Sequence, residues 1–187
     1  MEEIPKQQPT DCLKVVLFGP ESTGKTTLAK QLAAHFKTQW VPEYMRSYLQ
    51  KKWDLTKTSI TKEDLLPIAI GQMNDENNYA RKANRYLFCD TNLLELKVYS
   101  EYYYQGFCPQ PIIEASLQNQ YDFYFLTHID VPWEADDLRD RPYDRSRLFC
   151  NFETALKEKK VPYAIVRGDA KTRLETAITL LEGLNHR

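Results

Sequence analysis

With 187 residues, the chain is long enough for one domain with a full core and short for two. Its 25 basic residues against 26 acidic ones give no electrostatic footprint for nucleic acid or an acidic membrane, which leaves a small neutral or mildly charged molecule as the expected partner. No apolar run approaches membrane-spanning length, and the first residues lack the basic and apolar regions of a signal peptide, so a cytoplasmic location is expected.

Residues 1–11 are polar and contain two prolines, Pro5 and Pro9, and read as a short flexible lead. Leu13–Phe18 follows, apolar and β-branched enough for a strand buried on both faces. Next comes Gly19-Pro20-Glu21-Ser22-Thr23-Gly24-Lys25-Thr26, which fits G-x-x-x-x-G-K-[ST]. From Thr27 onward, Leu28, Leu32 and Phe36 fall on one helical face. In a strand-loop-helix context these glycines allow a tight turn whose N–H groups, from Gly19 through Glu21, Ser22, Thr23 and Gly24 to Thr27, converge on a phosphate. Lys25 is then placed to reach the β- and γ-phosphates of ATP, and the Thr26 hydroxyl to ligate Mg²⁺.

A short second strand is expected over residues 38–41, stopped by Pro42. The cluster Glu43-Tyr44-Met45-Arg46-Ser47-Tyr48 comes just past it, where an α/β sheet opens its ligand crevice. Glu43 and Arg46 are therefore candidates to grip or activate a substrate hydroxyl, the alternative being a solvated surface loop. Residues 51–59 read as a polar connection. From Thr61, with Asp64 in a capping-box position, a helix is expected to about Asn84, with a bend at Pro67 or a later start, and with Gly71 weakening it.

Residues 85–92 outline a third strand ending in Asp90, the acidic partner that a phosphate loop requires for its metal and the alternative to Glu43 for orienting or accepting the hydroxyl proton. An N-cap formed by Asp90, Thr91 or Asn92 is a compatible reading. In the next helix, over residues 93–104, Leu96, Tyr99 and Tyr103 share one side and are expected to pack in the core. Four cysteines without a C-x-x-C pair argue against structural zinc, and Cys89 is expected simply to pack in its strand. A short helix over 112–118 and a strand over 121–127 precede residues 131–147, which carry Arg139, Arg141, Arg145 and Arg147 and read as a lid over the phosphate loop; a helix with Asp-Arg pairs on its solvated face is the alternative. A helix over 147–159, a strand over 162–166, a turn at 167–169 and a helix carrying Leu174, Ala177, Ile178 and Leu181 complete the chain. Strands alternating with helices imply an α/β fold of three layers, one parallel sheet with helices on both faces.

Taken together, Gly19 to Leu28, the cluster Glu43, Tyr44, Arg46 and Tyr48, the strand-end Asp90-Thr91-Asn92, and Pro132-Trp133-Glu134-Ala135-Asp136-Asp137-Leu138-Arg139 followed by Asp144-Arg145 resemble the ribosylnicotinamide kinase domain of NadR-type proteins, in the P-loop kinase superfamily. The resemblance implies a sheet ordered 2-3-1-4-5, ATP as donor with Mg²⁺, and transfer to the 5′-hydroxyl of nicotinamide riboside. It also implies that Glu43 and Arg46 contact the riboside, with Tyr44, Asp90, Asn92 and Trp133 on the substrate side, that Arg139 and Arg145 reach the phosphates, and that the Gly168 turn lies near the adenine. Asn92 stands where the family often has a second aspartate, and Asp137 where a lid glycine is common. Motifs of the helix-turn-helix and adenylyltransferase domains of longer NadR proteins are not found, which implies a stand-alone kinase domain over 1–187. A kinase for another small metabolite stays open, as does, with less support, a nucleotide switch; against the latter, Thr91 stands where motor-type ATPases place a glutamate.

Overall fold

Strand and helix alternate along the chain as its patterning predicts. The computed structural model describes residues 3–135, 138 and 143–184. In order these form β1 (Leu13–Phe18), α1 (Lys25–Phe36), β2 (Gln39–Val41), α2 (Tyr44–Thr56), a 3-10 turn (Lys62–Asp64), α3 (Leu65–Ala80), β3 (Tyr86–Asp90), α4 (Leu93–Tyr103), α5 (Gln110–Gln118), β4 (Phe123–Thr127), α6 (Arg145–Lys159), β5 (Tyr163–Val166) and α7 (Ala170–Leu184). The strands make one all-parallel sheet in the order β2-β3-β1-β4-β5, as the resemblance implies.

Successive strand side chains point to opposite faces, and this divides the core in two. Val15 and Leu17 of β1, with Tyr86, Phe88, Phe123 and Phe125, face Leu28 and Leu32 of α1 and Ala177 and Leu181 of α7. Val16 and Phe18, with Leu87, Cys89, Tyr124 and Leu126, face Val98 and Tyr99 of α4 and Leu148 and Phe152 of α6. Since β1, β3 and β4 are covered on both sides, they read as continuous apolar runs, and Cys89 is packing material as expected. The chain moves from β1's one side to the other between β3 and β4, which puts the switch point of the topology at the carboxyl end of β1.

Three expectations change. The polar connection expected at 51–59 is largely helix, because α2 runs to Thr56; none of its residues is fully buried, so its apolar periodicity is faint. The helix expected from Thr61 begins as a 3-10 turn, and α3 proper starts at Leu65. Pro67 is then the third helical residue, where its missing N–H has no intrahelical partner to lose, so the later start is the alternative that the structure adopts. The flexible lead is tied down from residue 4. Ile4 packs on the α3–α4–α5 cluster, Gln7 donates to Glu76 at 2.8 Å, the Gln8 N–H donates to Asn77 Oδ1 at 2.8 Å, and Asn77 Nδ2 returns a bond to the Lys6 carbonyl. Polar composition concealed this order because amide side chains, beside the apolar contact of Ile4, hold the segment. The fully buried Glu76 is itself matched by Lys14 at 3.0 Å and the Tyr121 hydroxyl at 2.7 Å.

Gly71 weakens α3 by propensity yet is required by contact: a Cβ there would lie 2.1 Å from the Tyr44 ring of α2. Gly71→Ala is accordingly expected to destabilise the protein by roughly 1–3 kcal/mol in urea denaturation, overriding a helix-propensity gain of about 1 kcal/mol. The same substitution in a Tyr44→Ala background is expected to cost less than half as much.

Candidate active site

At the end of β1 the chain must leave the sheet beside β4. Gly19 does this at φ +136°, where a Cβ would meet Thr127 Oγ1 at 2.8 Å and the Thr127 carbonyl oxygen at 3.0 Å. The loop is clipped to the same strand: Thr23 Oγ1 lies 2.6 Å from Thr127 Oγ1 and donates to the Pro20 carbonyl at 2.7 Å. Gly24, at φ +82°, caps α1, so the unpaired N–H groups of the helix's first turn are delivered to the loop.

A cleft of about 460 Å³ opens over this loop. Residues Glu21 to Leu28 line one wall; Glu43, Met45, Arg46, Leu49 and Trp53 line another, with Tyr99, Tyr103 and Tyr104 beside them. The aromatic stripe of α4 thus has two roles, since Tyr99 packs edge-on against Phe152 in the core and also borders the cleft. The cluster after β2 is not a solvated loop: it forms the start of α2 and brings Glu43 and Arg46 to the cleft wall. Tyr44 is elsewhere, packed on Gly71 with its N–H donated to Gln72 at 2.8 Å.

Lys25 is buried and turned onto its own loop, donating to the carbonyls of Gly19 at 2.7 Å and Pro20 at 2.9 Å. Glu95 of α4 stands 3.3 Å from the same Nζ and accepts the Gly19 N–H at 3.4 Å. Burial works to lower the Lys25 pKa, but Glu95, Glu43 and Asp90 outweigh it and hold the ammonium above its ordinary value. Burial pushes Glu95 up to about 8, with Lys25 opposing and Glu43 and Asp90 reinforcing. The two directions pull against each other, one calling for an anionic partner and the other for a protonated one; with three acceptors around Nζ, Lys25 holds its proton and Glu95 is the member that titrates.

Asp90, at the carboxyl end of β3, accepts from the Thr26 hydroxyl at 2.5 Å. Thr91 then turns at φ +72°, a left-handed conformation costly for a β-branched residue, while its N–H is held by the Leu17 carbonyl at 3.1 Å. Burial raises the Asp90 pKa against the pull of Lys25, Thr26, Lys30 and Arg46. Its Oδ1 is buried with no hydrogen-bond partner. A hard cation between Thr26 and Asp90 would satisfy that oxygen, so the residues fit Mg²⁺. Among the described residues no group of three or more His, Cys, Asp or Glu could cage a metal, so the ion's other ligands would be phosphate or water.

Asn92 takes the capping role. Its Oδ1 accepts from the N–H groups of Leu94 at 3.1 Å and Glu95 at 3.2 Å, and its Nδ2 donates to the Tyr124 hydroxyl at 3.0 Å, which commits the side chain to α4. Arg145 opens α6 and donates to the carbonyls of Val131 at 2.9 Å and Ser22 at 3.1 Å, joining the segment after β4 to the phosphate loop. Val131, Pro132, Glu134 and Leu138 reach the cleft, and the Glu134 N–H donates to Ser22 Oγ at 2.9 Å. Trp133 is half-buried beside them, whereas Arg139 and Arg141 lie outside the described residues.

Two residues that hold the phosphate loop escaped sequence reasoning. Glu95 lies five positions beyond the strand-end aspartate and carries no motif. Arg173 of α7, 3% exposed, donates to the carbonyls of Thr23, His128 and Gly168 and pairs with Asp130. It ties the phosphate loop to the Gly168 turn, whose N–H is held by Asp130 at 2.7 Å. The wall formed by α2 is latched by Asp64, which accepts from Lys52 at 2.5 Å, the Tyr48 hydroxyl at 3.1 Å and the Thr61 N–H at 2.7 Å.

Comparison with known proteins identifies the family and the fold. The AAA domain family matches residues 14–173. Over 170 residues the chain is 28% identical to the trifunctional NAD biosynthesis/regulator protein NadR of Salmonella typhimurium, covering 89% of this chain and 41% of that protein. Against the Escherichia coli protein of the same description it is 29% identical over 140 residues, covering 74% and 34%. The chain therefore spans about two fifths or less of the curated relatives it matches. Among solved structures, a NadR protein in complex with NR has a TM-score of 0.71 at 19% identity, over 92% of this chain and 51% of that one. A deoxyadenosine kinase from M. mycoides has a TM-score of 0.65 at 15% identity, over 91% of this chain and all (100%) of that one. These structures share the fold. No helix among the described residues is long and apolar enough to cross a membrane.

The latch carries a pH signature. Burial acts to raise the Asp64 pKa, but Lys52, Thr61 and Tyr48 outweigh it and hold the carboxyl below its ordinary 3.8. A lowered folded-state pKa gives stability that is present above the unfolded value and lost as pH falls through the folded one. The protection factors of the α2 amides against hydrogen exchange are therefore expected to fall below about pH 4. Asp64→Ala is expected to bring that loss to neutral pH, lowering α2's protection by roughly 1–3 kcal/mol.

Proposed function

The chain belongs to the AAA domain family and resembles the kinase domain of NadR-type proteins; from that premise we propose that it transfers the γ-phosphoryl group of ATP to the 5′-hydroxyl of nicotinamide riboside, giving the mononucleotide. One observation carries the reading: a single cleft has the phosphate loop on one wall and, on the other, a carboxylate, a guanidinium and a row of aromatic rings. A triphosphate needs the first, and a ribosylated aromatic ring fits the second. The trifunctional NadR proteins are named for NAD biosynthesis, and a NadR structure is described with NAD and AMP-PNP, both in keeping with this donor and acceptor.

In the proposed reaction the first-turn amides of α1 and Lys25 bind the phosphates, and Thr26 and Asp90 would hold Mg²⁺, which would supply charge neutralisation to the phosphates. Arg46 and Glu43 orient the riboside. Glu43 accepts the hydroxyl proton as the new oxygen–phosphorus bond forms and the bond to the β–γ bridging oxygen breaks. Arg145, with Arg139 of the lid segment, supplies permanent positive charge toward the transferred group. Phosphoryl transfer asks mainly for positioning and charge stabilisation, so the loop lysine should matter more than the base.

Incubation with ATP·Mg²⁺ and a panel of nicotinamide riboside, common nucleosides and thiamine-like alcohols is expected to phosphorylate the riboside preferentially. Preference for a common nucleoside would move the chain to another acceptor in the same cleft, and ATP hydrolysis with no acceptor phosphorylated would contradict the kinase reading. Lys25→Ala is expected to abolish turnover. Glu43→Ala is expected to lower kcat/KM for the riboside by about 10²-fold while leaving the KM for ATP nearly unchanged.

A further inference from the structure

Glu95 has no task in the transfer described above, although it is the acid nearest the phosphate-loop lysine. Its carboxylate is 2% exposed, projects from the first turn of α4 behind Asn92's cap, and reaches both Lys25 Nζ and the Gly19 N–H. The groups that face it among the described residues are Lys25 from α1, Glu43 from the segment before α2, Asp90 from the end of β3, and Tyr99 one turn along its own helix. Three acids thus surround one ammonium in a buried site. A triphosphate on the loop competes with Glu95 for that ammonium and adds its own negative charge nearby.

We propose that Glu95 is a positioning residue for Lys25, holding the ammonium at the loop until phosphates take it over, and that where it is ionised it takes up a proton from solvent as they do. The inference rests on reading the loop as a triphosphate site and is independent of which alcohol accepts the phosphate. The physical reason is desolvation. Once Lys25 turns toward the phosphates, an ionised Glu95 is left buried beside Glu43 and Asp90 without its counter-ion, and protonation removes that charge. Its elevation to about 8 while Lys25 is still beside it means that the proton is easily gained. A purely structural pair linking α4 to the loop would show none of this linkage.

The test is calorimetric titration of ATP, without acceptor and without Mg²⁺, whose charge beside Asp90 would oppose the uptake, in two buffers of different ionisation enthalpy. At pH 8.5 the nucleotide's own phosphates, with a second pKa of about 6, are ionised. With a folded-state value of about 8, the protein is expected to take up ~0.7 proton per nucleotide at that pH, and its Kd to rise about tenfold between pH 7 and pH 9. Glu95→Gln is expected to bind with no proton uptake and a flat Kd over the same range, and its circular dichroism and thermal transition establish that it folds. The wild-type titration stands as a test by itself if that variant does not. Binding without proton uptake, or unchanged uptake in Glu95→Gln, overturns the inference and leaves the loop reading intact. Absence of any heat from ATP, with or without Mg²⁺, overturns both.

Discussion

The cleft depends on how β1 ends. Gly19 is pressed against Thr127 with no room for a side chain, and Thr23 is clipped to the same threonine, so the loop's path is set by β4 before any ligand is considered. The sheet behind it is fixed in turn by three central strands buried on both faces. From that anchored loop follow the direction of α1, the position of Lys25 beneath α4, and the meeting of Thr26 with Asp90 across adjacent strands. Pre-set geometry of this kind is what phosphoryl transfer chiefly requires of a protein, because charge must be met where it develops without reorganisation.

The two walls of the cleft are held differently. The phosphate side is tied by buried and half-buried bonds: Arg173 to Thr23, His128, Gly168 and Asp130, Arg145 to Ser22, and Lys25 to the loop carbonyls. Opposite, α2 has no fully buried residue and is retained by Tyr44 on Gly71, the Gln72 cap and the Asp64 latch. A rigid donor wall and a lightly held acceptor wall suit a reaction whose donor is common to many enzymes and whose acceptor is not. Charged groups gather where the walls meet. There Glu43, Asp90 and Glu95 set the state of Lys25, and Arg46 acts on Asp90.

Much of this was legible in the chain. Leu13–Phe18, the phosphate loop and Asp90 announce themselves because a buried strand, a left-handed turn and a strand-end acid each leave a local mark. The Thr61–Asp64 capping box was legible for the same reason. What could not be read depends on distant partners. Arg173 becomes a hub only when the Gly168 turn folds against residues 150 positions upstream. Glu95 acquires meaning only when α4 lies over Lys25. The polarity of residues 51–59 and of the lead reported composition faithfully and order wrongly, because latches and amide bonds, beside the apolar contact of Ile4, hold both segments.

The account's central claim is that one cleft brings a triphosphate and a ribosyl hydroxyl together across Lys25. A crystal structure with Mg²⁺, a non-hydrolysable ATP analogue and nicotinamide riboside tests it most directly. The account predicts the β- and γ-phosphates on the Gly24–Thr27 amides, Lys25 withdrawn from the Gly19 and Pro20 carbonyls onto them, the metal between Thr26 and Asp90, and the 5′-hydroxyl within hydrogen-bond reach of Glu43. A riboside bound outside the wall formed by Glu43, Arg46 and Trp53, or a nucleotide that leaves Lys25 on its loop carbonyls, would contradict it.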